Sequence, residues 1–127
     1  MKRVIGLGGP FIKAKDPVAL AAWYEKHLGI PFSGNSFAVW PKGGEGSSEN
    51  GFNIFSIFPE TSGYFAPSES RAMINFVVED LYALIDILRA EGVTIPQDPI
   101  TEPYGKFGWV LDPEGNKVEL WEAPEKE

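Results

Sequence analysis

The chain has no cysteine. Disulfides and thiolate chemistry are thereby excluded, and a reducing, cytoplasmic setting is the expected one. Histidine is nearly as scarce, with His27 alone, so no pair of imidazoles is available to a metal or a nucleophile. Cationic side chains are also few: 11 Lys and Arg stand against 18 Asp and Glu, for a net charge of −7. That sign argues against a nucleic-acid partner, whose phosphates require a basic face. It admits cationic small molecules, or serves solubility alone. Long apolar runs are missing: none is long enough to span a bilayer. The amino terminus, Met-Lys-Arg-Val-Ile-Gly, has only a short, glycine-broken apolar stretch after its charges, so neither a membrane partner nor a signal peptide is expected. A phosphate loop is absent too, because Gly6-Leu7-Gly8-Gly9-Pro10 reads as part of a strand and not as a strand-to-helix turn.

What remains is one domain of 127 residues, 43% hydrophobic and 23% charged, enough for a real core. It is written twice. Residues 11–29 and 76–92 share one grammar: an apolar strand runs into an Asp, the Asp opens an amphipathic helix, and a Gly closes it. Asp16 and Asp80, Ala19 and Ala83, and Leu20 and Leu84 each lie 64 positions apart. The chain therefore reads as two copies of one supersecondary unit, and a site between them draws on equivalent positions in each.

Asp16 stands as an N-cap with Pro17 at the first helical position, and Leu20, Tyr24 and Leu28 give that helix one apolar face. In the second copy Asp80 caps a helix carrying Leu81, Leu84, Ile85 and Leu88. Strands are expected at residues 4–15, 30–33, 36–40 and 52–58, then at 72–79, 93–95, 107–111 and 117–122, so that each half is strand, helix and three strands. Residues 42–51, rich in Gly and Ser, are expected to be mobile. The joining segment, 59–71, is also expected to be mobile, yet Tyr64 and Phe65 within it need a surface to rest on, and are expected to order over an occupied cleft. Asp112-Pro113-Glu114-Gly115-Asn116 reads as a turn. His27, in the last turn of its helix, has a structural reading: it meets the helix dipole.

Two such halves, with Asp-Pro-Glu-Gly-Asn running into Val-Glu-Leu-Trp-Glu near the carboxyl terminus, resemble the vicinal-oxygen-chelate superfamily. This is the group of glyoxalase I, bleomycin-resistance proteins, extradiol dioxygenases and methylmalonyl-CoA epimerase. The resemblance implies an α+β fold of two tandem βαβββ modules (about 1–60 and 72–124) whose curved sheets form a cleft, usually in a homodimer. It also implies four metal-ligand positions on the first and last strands of each module. By the offset of 64 these fall on Gly9, Met73, Glu119 and Phe55. One carboxylate among them does not make a site for zinc, nickel, iron or manganese, so neither a metal nor another cofactor is expected.

With those positions defining the cleft, strand alternation turns Gly9, Phe11 and Lys13 inward, with Asn53, Phe55 and Ile57, then Met73, Asn75 and Val77, then Lys117, Glu119 and Trp121. Ile12, Ile54, Phe58, Ile74, Phe76, Val118 and Leu120 are left to pack under the helices. Trp40, Trp109, Phe107 and Tyr104 are candidates for an aromatic rim. The candidate ligand contacts are thus Phe11, Trp40, Asn53, Phe55, Met73, Asn75, Trp109 and Trp121, around an acid at Glu119. A filled second core, or a salt bridge from Glu119 to Lys117 or Lys106, is the plainer alternative. Two functions follow. One is a protein that binds a hydrophobic, aromatic or cationic small molecule unchanged. The other is a metal-free isomerase, epimerase or lyase with Glu119 as general base, its pKa raised by an apolar cleft. A glyoxalase-type metal-dependent lyase with relocated ligands is a third.

Overall fold

Both helices start where the repeated aspartates put them. Asp16 Oδ1 accepts from the Ala19 amide at 3.0 Å and Asp80 Oδ1 from the Ala83 amide at 3.2 Å, each satisfying one of the donors that a helix start leaves free. In the computed structural model, which describes residues 2–40 and 53–124, these caps open α1 (Pro17–Leu28) and α2 (Leu81–Ala90). Gly29 ends α1 in the left-handed conformation, φ 69°, which a residue with a Cβ adopts only at a cost.

Among the described residues seven strands form one sheet: β1 (Val4–Ala14), β2 (Phe37–Trp40), β3 (Asn53–Pro59), β4 (Ala72–Val78), β5 (Ile100–Glu102), β6 (Gly105–Leu111) and β7 (Lys117–Glu122). Their order is β2-β3-β1-β4-β7-β6-β5. The first strands of the two modules, β1 and β4, therefore meet antiparallel at the centre, and each takes the last strand of its own module, β3 or β7, as a parallel neighbour. The seam keeps the sequence repeat: Phe11 pairs with Met73 and Gly9 with Asn75, and a shift of 64 exchanges these two pairs. The fold is α+β, a curled sheet enclosing a cleft, with a helix on the outside of each half.

Two expected strands do not form. Residues 30–33 lie outside the sheet, because Pro31 brings no N–H to a ladder and Ser33 (φ 53°) and Gly34 (φ 83°) turn the chain left-handed. At 93–95 only Thr94 makes a single bridge, to Leu111; Pro96 stops it, and the third partner strand is β5 instead. The expected loop at 42–51 lies outside the described residues.

Among the described residues three apolar clusters hold the layers. Ala14, Ala21, Phe32, Ala38 and Ile57 are buried beneath α1, and Val78, Leu81, Leu84, Ile85 and Leu120 beneath α2. The third, Phe11, Phe65, Met73 and Trp109, lies on the concave face. It contains the surface that the joining segment needs: Phe65 is 0% exposed, and Tyr64 stacks on Phe58 with an interplanar angle of 7°. The His27 ring lies 5.1 Å from that of Trp23 on α1, a helix outside the sheet.

Candidate functional site

Beyond Tyr64 and Phe65 the concave face opens into a cavity of about 550 Å³. One wall comes from the first module, with Phe11, Phe37, Val39 and Ile54; the other comes from the second, with Tyr104, Phe107 and Trp121. Phe107 and Trp121 are neighbours on paired strands and lie parallel, 7° apart in plane, while Trp121 Nε1 is committed to the Tyr104 carbonyl at 3.1 Å. Among the described residues, the non-aromatic polar side chains that line the cavity are Ser56, Asn75 and Glu119.

Glu119 is the chemical centre. It is 1% exposed, and three donors converge on its carboxylate. Asn75 Nδ2 donates to Oε1 at 2.6 Å, Trp109 Nε1 donates to Oε2 at 3.0 Å, and the Tyr64 hydroxyl also donates to Oε2. A buried acid needs such partners, since an unsatisfied one is costly. Two strands place them: β6 sets Trp109 directly opposite Glu119, and β4 sets Asn75 beside it in parallel register. Gly8 leaves the room for Asn75, because a Cβ there would come within 1.8 Å of Asn75 Oδ1. That oxygen is buried without a partner.

Lys117, two residues before Glu119 on the same face, does not form the salt bridge that was the plainer alternative. Its Nζ donates to the Tyr64 carbonyl and to Gln97 Oε1, both at 2.8 Å, and lies 5.4 Å from the Tyr64 ring centre and 5.5 Å from that of Trp109. Lys106 pairs with Glu122 instead. Lys117 thus fastens the joining segment while Glu119 holds its tyrosine.

Burial pushes the Glu119 carboxyl group above the ordinary carboxylate range; the hydrogen bonds from Tyr64, Asn75 and Trp109 and the charge of Lys117 pull the other way without cancelling it. Burial and the neighbouring Glu119 together raise the Tyr64 phenol, and burial lowers the Lys117 ammonium, opposed by Glu119. A carboxyl group with a raised folded pKa is protonated more readily in the folded chain. Its contribution to stability is therefore full below the unfolded value, about 4.3, and is lost as pH rises through the folded value. Across that window wild type is expected to lose stability relative to Glu119→Gln, read from denaturant midpoints at a series of pH values. Parallel curves would remove Glu119 as the titrating group.

The structure brings Phe11, Asn75, Glu119 and Trp121 to the cavity wall. Met73 and Trp109 share the concave face but are buried in the cluster that contains Phe65. Asn53, Phe55 and Trp40 are elsewhere. Phe55 packs edge-on against Tyr24 and Phe32 under α1, Trp40 joins the same cluster, and Asn53 Nδ2 donates to the Leu7 carbonyl at 2.8 Å. The reason is a slip of one residue. β1 and β3 pair Phe11 with Ser56, as β4 and β7 pair Asn75 with Glu119, so the offset on the last strands is 63 and not 64. A one-residue slip exchanges the faces of a strand: Ile54, Ser56 and Phe58 turn to the concave side, and Ile57 goes under α1.

With this register, the four positions that the resemblance implies for metal ligands become Gly9, Ser56, Met73 and Glu119. One carboxylate, one hydroxyl and one thioether do not match the donors that hard or borderline divalent ions take. Among the described residues, no three of His, Cys, Asp and Glu gather to hold an ion.

Comparison with known proteins agrees with this architecture. The family model described as Glyoxalase/Bleomycin resistance protein/Dioxygenase superfamily matches residues 10–120. No curated protein has significantly similar sequence. Among solved structures, methylmalonyl-CoA epimerase from Streptomyces coelicolor, in complex with 2-nitronate-propionyl-CoA, superposes with a TM-score of 0.71 at 15% identity, over 96% of this chain and 99% of that one. Methylmalonyl-CoA epimerase from Mycobacterium tuberculosis gives 0.64 at 17% identity, over 98% and 92%. A superfamily member from Vibrio splendidus gives 0.57 at 15%, over 89% and 95%. At such identities the likeness is one of fold.

Proposed function

Because the chain belongs to the glyoxalase/bleomycin resistance protein/dioxygenase superfamily, whose fold does not by itself fix a reaction, we propose its function from the cleft: it binds a small aromatic molecule, without a metal ion. The observation that carries this reading is the cavity of about 550 Å³, with aromatic walls and one carboxylate held rigidly at its edge. Apolar concavity with a few fixed polar groups is what small-molecule sites share. Three donors hold the Glu119 carboxylate in place, and Oε1, which takes only Asn75, has acceptor capacity left for a ligand N–H or O–H.

The test is a titration with 2-naphthylamine, followed by the emission of Trp109 and Trp121. Saturable binding is expected, with the same affinity in the presence of EDTA. Glu119→Gln should weaken it about tenfold or more, since a hydrogen bond to a charged group is worth about 1.5–3 kcal/mol. Binding that disappears with EDTA, or no saturation at all, would sink the reading.

One observation favours a second reading, a metal-free isomerase, epimerase or lyase. A carboxyl group whose pKa is raised by burial, at the wall of a cavity, is suited to taking a proton from carbon. In that case a bound carbon acid exchanges its proton in deuterium oxide, and Glu119→Gln stops the exchange.

A further inference from the structure

The corrected register gives Glu119 a counterpart. Ser56 holds in the first module the position that Glu119 holds in the second: each lies on the last strand of its module, level with a residue of the first strand. Ser56 is buried and lines the same cavity. Its surroundings differ sharply from those of Glu119. No described residue hydrogen-bonds to the Ser56 hydroxyl, and the side chains around it at the cavity wall, Phe11, Phe37, Val39 and Ile54, offer none. Among the described residues the one side-chain N or O atom shut off from solvent without a partner is Asn75 Oδ1; the Ser56 hydroxyl, which has no protein partner either, therefore keeps accessible surface, and the open side available to it is the cavity.

We infer that Ser56 is a second anchor for the ligand, and that the ligand is a flat, elongated aromatic molecule with a hydrogen-bonding group at each end. One end gives an N–H or O–H to Glu119, and the other meets the Ser56 hydroxyl, which both donates and accepts. The spacing sets the length. From β3 through β1 and β4 to β7 there are three strand spacings, roughly 14 Å along the sheet at about 4.8 Å each. The distance across is less, because the sheet curls and both side chains reach inward. A rigid two-ring system suits that gap, and the parallel faces of Phe107 and Trp121 suit its plane. The assignment rests on the cleft being the binding site proposed above.

The experiment compares 2-naphthylamine with 6-amino-2-naphthol, which adds a hydroxyl at the far end of the same rings, on wild type and on Ser56→Ala. The two-ended compound is expected to bind wild type about tenfold more tightly. Ser56→Ala should erase that advantage, so that the two compounds bind it with equal affinity. The substitution removes no hydrogen bond formed within the described structure, and a thermal midpoint equal to wild type confirms that the fold is intact. Equal affinity of the two compounds for wild type, or an advantage that survives in Ser56→Ala, overturns the second anchor and leaves the cleft reading standing. If neither compound binds wild type, both fall.

Discussion

Gly9→Ala is expected to leave the chain largely unfolded. A Cβ at this position would lie 1.6 Å from the Ile54 carbonyl oxygen and 2.8 Å from its carbon. Both are backbone atoms, so no rotamer change relieves the clash. The conformation is adverse as well: φ is +150°, where side chains are rarely accommodated. The only relief is to separate β1 from β3, which breaks the ladder that joins Phe11 to Ser56 and the cavity wall with it. A loss beyond about 4 kcal/mol is exceptional for one substitution, and the whole stability of a domain is about 5–15 kcal/mol; this variant is expected in that exceptional range. Gly63→Ala is the control, since nothing lies within 4 Å of its added methyl group, and it should stay within about 0.5 kcal/mol of wild type. Denaturant unfolding of the two reads the difference, and a Gly9→Ala protein as stable as the control would show that the strands do not approach as described.

The second large effect belongs to Glu119→Leu. Leucine nearly matches the volume but leaves the Tyr64 hydroxyl, Trp109 Nε1 and Asn75 Nδ2 without their acceptor. Each buried donor left unsatisfied costs about 1–3 kcal/mol; relief from burying the acid offsets part of this, and a net loss of about 3 kcal/mol or more is expected in chemical denaturation. Glu119→Gln should be far milder. Its carbonyl keeps Tyr64 and Trp109, and a turned Asn75 amide presents the oxygen that is otherwise partnerless to the new N–H. If leucine proves as stable as glutamine, the three-donor cradle does not hold the concave face together.

Local rules read this sequence well where only one answer is physically open. The aspartate caps and helix faces were legible, because Asp16 and Asp80 bring the same chemistry to the same place in each copy. β7 was legible too, since its charged and aromatic residues alternate with Val118 and Leu120. β3 was not. Ile54, Phe55, Ile57 and Phe58 put large apolar side chains on both faces, so alternation has no preferred sense there, and an offset taken from the helices was one residue too long. That single residue moved Phe55 and Asn53 out of the site and Ser56 into it. Tyr64 stands in the sequence only as an aromatic in need of a surface; its bond to Glu119 spans 55 residues of sequence, and no local pattern encodes it.

The antiparallel seam between β1 and β4 has one more consequence. A cradle made of two like halves about a shared axis cannot by itself tell the head of a molecule from its tail, since turning the guest end over end produces the same contacts. Here the halves are alike in backbone and unlike in chemistry, an acid on one side and an alcohol on the other. Tyr64, from the joining segment, engages the acid alone. The cradle therefore has a direction, and a guest with unlike ends has one seating of lowest energy where perfect symmetry would give it two. Such a pocket fixes which end of an unsymmetrical compound meets the acid, although the scaffold beneath it is very nearly its own rotated copy.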